Sequence, residues 1–195
     1  IKLSIFIDGF FMNNKSIGFF DSGIGGITIL NSIIKLLPNE NTIYLADSIN
    51  SPYGRKSNEE LIKICKKNVE FLINSGCKLI VIACNTATTN SINYLRQNYK
   101  IPFIGIEPAI KPAALNTKTG KIGVLATKGT FGSNLFEKTS TLHGQNIEII
   151  EKQVNGLVEL IEKGIFSGSK IDMLLEKYIT PMILSLIHIS EPTRH

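Results

Sequence analysis

Cysteine is scarce in this chain: Cys65, Cys77 and Cys84 are the three among 195 residues. An odd number without paired spacing excludes a disulfide framework and points to a reducing compartment, so a cytoplasmic location is expected. Histidine is equally scarce, and two of the three, His188 and His195, fall near the end of the chain. No Cys/His cluster has zinc-ligand spacing, so no metal site is expected. No run reaches the ~18 apolar residues of a membrane-spanning helix, which excludes a transmembrane protein. The 16 glycines follow no triplet period, and low-complexity tracts and short repeats do not occur.

What is present describes a globular protein. Forty-three per cent of the residues are hydrophobic and 19% charged, which supports a real core and excludes a disordered chain. The length fits one ordinary domain or two small ones. The net charge is +5, but the basic residues are scattered singly, with Lys66-Lys67 the densest pair. No nucleic-acid partner is expected without a clustered basic patch. The first Met is Met12, and residues 1–16 read as upstream read-through and a disordered start, with no signal-peptide pattern. Residues 185–195 (SLIHISEPTRH) read as a non-native tail.

Between these ends, strands alternate with helices. Apolar runs at 17–20, 43–46, 79–83, 103–106 and 122–126 predict strands, with a sixth near 147–150. Helices are predicted after the turn at 21–26 with Ile27, Leu30, Ile34 and Leu37 on one face, from 57 to Gly76, from 85 to about 97, and at about 132–142, 154–163 and 169–179. Ser57 and Glu60 form a capping-box pattern. Alternation of this kind predicts an α/β fold of right-handed βαβ units on a parallel sheet.

In such sheets ligands bind outside the carboxyl ends of the strands. Four polar groups fall there: Asp21-Ser22, Ser51-Pro52-Tyr53-Gly54, Cys84-Asn85-Thr86 and Thr127. The turn Gly23-Ile24-Gly25-Gly26 misses the dinucleotide spacing, since position 28 is Thr. It reads either as a bare structural turn or as a place where amides approach a small carboxylate ligand. Cys65 and Cys77 read as inert core thiols. Cys84 lies at a strand end beside a helix N-terminus, where the thiolate is favoured and a base or nucleophile results. Asp21 is placed to tune it, orient it or relay its proton. His143 reads as a surface residue in a loop before Gly144, so no triad is expected.

Five collinear motifs carry a resemblance: FDSGIGG at 20–26, Pro-Tyr-Gly at 52–54, VIACNTATT at 81–89, GIEPAIKPA at 105–113 and IGVLAT at 122–127. Together they resemble the glutamate racemases, over about residues 17–183. The resemblance implies two similar α/β domains facing a cleft: a first domain at 17–110 holding the Cys84 half-site, and a second at 111–184. It implies cofactor-independent interconversion of L- and D-glutamate for peptidoglycan, with two cysteines alternating as thiolate base and thiol acid. Proton abstraction without a cofactor asks for a strong base held against the carbon in a dry site.

By this resemblance Cys84 is catalytic, and Asp21 and Ser22 hold the substrate amino group, Asp21 also assisting the base. Pro52, Tyr53, Gly54, Asn85 and Thr86 form the substrate-binding set around the carboxylates, with Thr88 and Thr127 as further candidates. For Tyr53 a loop-capping role is the alternative. Glutamate is the implied partner, and a homodimer is common in the family. The chain departs from the family in two ways. Cys84 is its last cysteine, so no Gly-Cys-Thr-His motif follows. The second domain is expected to be incomplete, and the return of the chain to the first domain is missing. An aspartate or hydantoin racemase relative, or a non-catalytic fragment binding an acidic ligand, are the competing readings.

Overall fold

A computed structural model describes residues 14–144 and 147–187. The expected foreign segments therefore lie outside the described residues, apart from 14–16 and 185–187.

The first sheet contains β1 (Ile17–Asp21), β2 (Thr42–Ala46), β3 (Leu79–Ile82) and β4 (Phe103–Gly105), all parallel, in the order β2-β1-β3-β4. Every residue of β1 and β3 is buried, because helices cover both faces. Successive side chains alternate between those faces. Ile17, Phe19, Leu79 and Val81 point toward α1 (Ile27–Leu36). Phe20, Ile80 and Ile82 point toward α2 (Asn58–Asn74) and α3 (Asn85–Asn98), which supply Leu61, Cys65, Val69, Leu72, Ile92 and Leu95. Fully burying a side chain of this size stabilises by about 1.5–3 kcal/mol, so this face dominates the core.

The α2 boundaries follow from local chemistry. Ser57 Oγ accepts from Glu60 N at 3.2 Å, and Glu60 Oε2 accepts from Ser57 N at 2.9 Å. At the other end Gly76 takes φ +80°, so that Gly76 N donates to Ile73 O and Cys77 N to Leu72 O. α1 differs from expectation in its rotation. Ile29, Leu30, Ile33 and Leu37 pack on the sheet, while Ile27 and Ile34 are exposed. A segment that is apolar nearly all round gives periodicity little to distinguish.

The remaining elements are α4 (Ile110–Asn116), β5 (Lys121–Ala126), α5 (Lys128–Phe131), α6 (Asn134–His143), β6 (Glu148–Gln153), α7 (Leu157–Glu162) and α8 (Ser169–Ile187). β5 and β6 pair in parallel as a second, two-stranded sheet. The helix expected at 132–142 is α6, capped by Ser133, and a separate short helix not expected from the sequence, α5, precedes it with Thr127 as its N-cap. His143 is the last residue of α6 rather than a loop residue. α8 runs past Pro181, whose ring removes one N–H from the ladder, and the continuation buries Met182.

Candidate active site

The carboxyl ends of β1 and β3 are neighbours in the sheet, which brings Asp21, Ser22 and Cys84 together. Asp21 ends β1, and its Oδ2 accepts from Gly26 N at 2.9 Å. The turn can fold back this tightly because position 26 has no side chain: a Cβ there would lie 2.7 Å from Ala83 Cβ and 2.8 Å from Tyr44 Oη. Ser22 Oγ donates to Asp21 Oδ1 at 3.5 Å, and Cys84 Sγ donates to Ser22 Oγ at 3.8 Å. Cys84 is the N-cap of α3, and its sulfur accepts from Ala87 N at 3.5 Å. The result is a line of thiol, hydroxyl and carboxylate at the strand ends.

The helix N-terminus does not make Cys84 a resting thiolate, contrary to the sequence expectation. Burial is the largest influence and, together with the Asp21 charge, pushes the thiol up to about 11. The Ala87 N–H and Ser22 oppose this only in part. Tyr44, whose hydroxyl donates to Gly23 O at 3.0 Å, is also raised, by burial first and then by Asp21, Glu162 and Cys84. Negative charge converges here without a described cationic side chain among these contacts. A site of this kind attracts a cation.

The β2 loop arrives differently. Tyr53 is 1% exposed, with its hydroxyl donating to Asp47 Oδ2 and accepting from Asn68 Nδ2 at 2.9 Å. Asn50 Nδ2 also donates to Asp47, at 2.8 and 3.0 Å. The Tyr53 side chain therefore anchors the loop and is not free to hold a carboxylate. The loop reaches the cleft through Pro52, Gly54 and Arg55, which border a cavity of about 210 Å³ with Thr127 and Asn155. Thr88 is likewise turned inward. It is fully buried, and its hydroxyl donates to Ile82 O at 3.2 Å.

Thr86 and Thr127 do meet across the two sheets. Their hydroxyls are 2.9 Å apart, and Thr130 Oγ1 completes a triangle at 3.1 Å from Thr86 and 3.2 Å from Thr127. Asn85, exposed in the first turn of α3, lines a second cavity of about 460 Å³ with Glu107, Ala126 and Thr127. Sequence reasoning missed Thr130, which follows Thr127 by one helical turn, and Glu162. The Glu162 carboxylate accepts from Ile24 N at 3.2 Å in the glycine turn. An acidic residue on a short amphipathic helix carries no signal of that reach. Arg55 and Glu159 form a further ion pair between the β2 loop and α7. Among the described residues, no group of three or more His, Cys, Asp or Glu could hold a metal ion.

An α/β scaffold with a cysteine, a hydroxyl and a carboxylate at adjacent strand ends defines a class of acid–base enzyme. Residues 29–177 match the family model for Asp/Glu/hydantoin racemase, and the chain belongs to that family. Within it the likeness is to glutamate racemases. The chain is 46% identical over 180 residues to the one from Clostridium botulinum strain Kyoto, covering 90% of this chain and 70% of the relative. The crystal structure of a glutamate racemase isoform from Bacillus anthracis superposes with a TM-score of 0.77 at 34% identity, covering 86% of this chain and 64% of that one. The glutamate racemase from Francisella tularensis, solved in complex with D-glutamate, gives 0.74 at 33% identity over 87% and 64%. The chain thus spans just under two thirds of the length of these solved structures.

Proposed function

We propose that this chain carries the Cys84 half of a glutamate racemase site. The observation that carries the reading is the line Cys84–Ser22–Asp21 at the strand ends, with Thr86, two residues beyond Cys84, bonded to Thr127 of the second sheet. The substrate ammonium sits by Asp21 and Ser22. The carboxylates are held by Asn85, Thr86, Thr127 and the backbone around Gly54. Entry of the ammonium neutralises the Asp21 charge that raises the thiol, and adds a positive charge beside the sulfur. The thiol proton leaves through Ser22 Oγ to the Asp21 carboxylate along the hydrogen-bonded line, and the Cys84 thiolate takes the α-proton, leaving the electron pair on the α-carbon, where the ammonium and the adjacent carboxylate stabilise it.

Completing racemisation requires a proton from the opposite face. Cys84 is the only one of the three cysteines at this cleft. One thiol alone supports removal and return of the proton on a single face. We infer that the acid on the other face comes from residues outside this sequence, and that D-glutamate formed by the complete site serves peptidoglycan synthesis in the cytoplasm. The presence of one base also supports the narrower reading, a module that binds glutamate and washes out its α-proton without inversion.

Incubation with L- and D-glutamate in deuterated water, followed by proton NMR and polarimetry, tests the assignment. Exchange of the α-proton of one enantiomer without loss of optical rotation is the expected result. Exchange with aspartate but not glutamate overturns the substrate. Unchanged exchange in Cys84→Ala overturns the mechanism.

A further inference from the structure

Asn90 lies on α3, half-buried, outside the hydrophobic core and outside the candidate binding set. Its Nδ2 donates to Gly129 O in α5 at 2.9 Å and to Thr86 O at 2.8 Å. Its Oδ1 accepts from Asn58 Nδ2 at 3.1 Å, and the same Asn58 nitrogen lies 3.3 Å from Asn90 O. Backbone carbonyls stand at both ends of this chain of amides, and carbonyls only accept. The orientation of each amide is therefore determined: nitrogen of Asn58 toward Asn90, oxygen of Asn90 toward Asn58, nitrogen of Asn90 toward Gly129.

We propose that Asn90 is a positioning residue that straps the Thr127–Phe131 turn to α3, so that the Thr127 hydroxyl stays at the cleft when a ligand carboxylate claims it. This rests on the glutamate reading for its ligand, but the strap itself does not. The argument lies in the number of protons available. The triangle of Thr86, Thr127 and Thr130 holds the turn to α3 while the site is free. A hydroxyl has one proton to donate, so a carboxylate accepting from Thr127 or Thr86 withdraws that proton from the triangle. The Asn90–Gly129 bond involves no hydroxyl and keeps its donor when the triangle is left with two protons for its three edges. It keeps the turn in place at the moment the substrate needs it.

The test uses the 195-residue chain and its Asn90→Ala, Asn90→Asp and Asn58→Ala variants. Tyr99→Phe serves as the control, because it removes one side-chain hydrogen bond, to Glu70, at the far end of α3. Amide hydrogen exchange of residues 127–132, with and without glutamate, reads the strap directly. Losing a hydrogen bond of ordinary strength is expected to speed exchange there by about fivefold in Asn90→Ala. Asn90→Asp is expected to be worse, because it sets a carboxylate against the Gly129 carbonyl. Asn58→Ala is expected to be intermediate, because it frees the Asn90 amide to turn. Tyr99→Phe should leave these amides unchanged.

By the same reasoning Asn90→Ala weakens glutamate affinity about fivefold while the α-proton exchange rate at saturating glutamate is unchanged. A merely structural residue would not produce that split. Unchanged exchange at 127–132 in both Asn90 variants overturns the proposal, as does a fall in the saturated rate with affinity intact. Should the unsubstituted chain fail to bind glutamate, the substrate reading fails while amide exchange still decides the strap. Should Asn90→Asp not fold, Asn90→Ala and Asn58→Ala carry the same comparison.

Discussion

Cys84 is kept protonated by the surroundings that make it useful. Burial and Asp21 lift the thiol to about 11, so in the free protein its alkylation rate should rise about tenfold per pH unit up to that value, because only the thiolate reacts. Iodoacetamide labelling at Cys84, read by mass spectrometry from pH 7 to 11, checks this, and a plateau below pH 9 would contradict the burial argument. Stability follows the same proton. The unfolded thiol loses its proton near 9, the folded one near 11, so between those values the unfolded chain binds fewer protons and stability falls as pH rises. Cys65, pushed up to about 12 by burial, acts in the same direction. Urea titrations at pH 8 and 10.5 should therefore show a smaller loss in Cys84→Ala than in the parent, and a remaining loss to which Cys65, Cys77 and the raised tyrosines Tyr44, Tyr53 and Tyr99 contribute. Tyr53 makes the complementary case. Tyr53→Phe removes the donor to buried Asp47 and the acceptor for Asn68, and should cost about 1–3 kcal/mol in urea unfolding. A loss below 0.5 kcal/mol on the order of experimental error would return Tyr53 to the cleft.

At the scale of elements, turns and caps show how far local chemistry reaches. The capping box and the Gly76 end of α2 were legible because capping is a contract between neighbours in sequence. The strand-end positions of Asp21, Ser22, Cys84 and Thr127 were legible for a related reason, since a parallel sheet fixes which end of each strand faces the ligand. The rotation of α1 was not, because its sequence offers apolar residues to every side. Side-chain direction at Tyr53 and Thr88 was hidden too. Each hydroxyl finds a partner distant in sequence or on the preceding strand, and spacing does not encode that choice. Glu162 reaches the glycine turn over a separation of 138 residues, beyond any local pattern. The turn itself gives the element-scale prediction. Gly26→Ala places a methyl 2.7 Å from Ala83 Cβ and 3.0 Å from Asp21 Cβ. φ at this position is −69°, so the cost is overpacking rather than backbone strain. A loss of about 1–3 kcal/mol is expected in thermal or urea unfolding, with the Cys84 labelling rate altered because Asp21 shifts.

Across the whole molecule, packing is uneven. The first sheet buries four clustered residues under α1 and a larger set beneath α2 and α3, whereas Ile110, Ile122 and Phe136 form the buried cluster beside the second sheet. A two-stranded sheet has little stability of its own and depends on what packs against it. Many of the attachments between the two sheets are polar: the threonine triangle and Asn90 at Gly129 O on one side, and on the other Glu162 at Ile24 N and the exposed Arg55–Glu159 pair, while Leu135 adds an apolar contact on the first core. Regions with few buried apolar contacts open first under native conditions. Native-state hydrogen exchange should therefore find β5 and β6 amides exchanging at least about tenfold faster than those of β1 and β3, a gap of ~1.4 kcal/mol or more in opening free energy. A ligand that bridges Asp21 and Thr127 binds only when both sheets are in place, so saturating glutamate should slow β5 and β6 more than β1 and β3. The Arg55–Glu159 pair, with one side chain 71% exposed, should contribute less than about 1 kcal/mol and fade with salt. Glu159→Gln should therefore leave the β5–β6 exchange rates within about twofold of the parent at 0.5 M salt, whereas uniform exchange across both sheets would mean that the molecule opens as a single unit and that the polar attachments do not limit it.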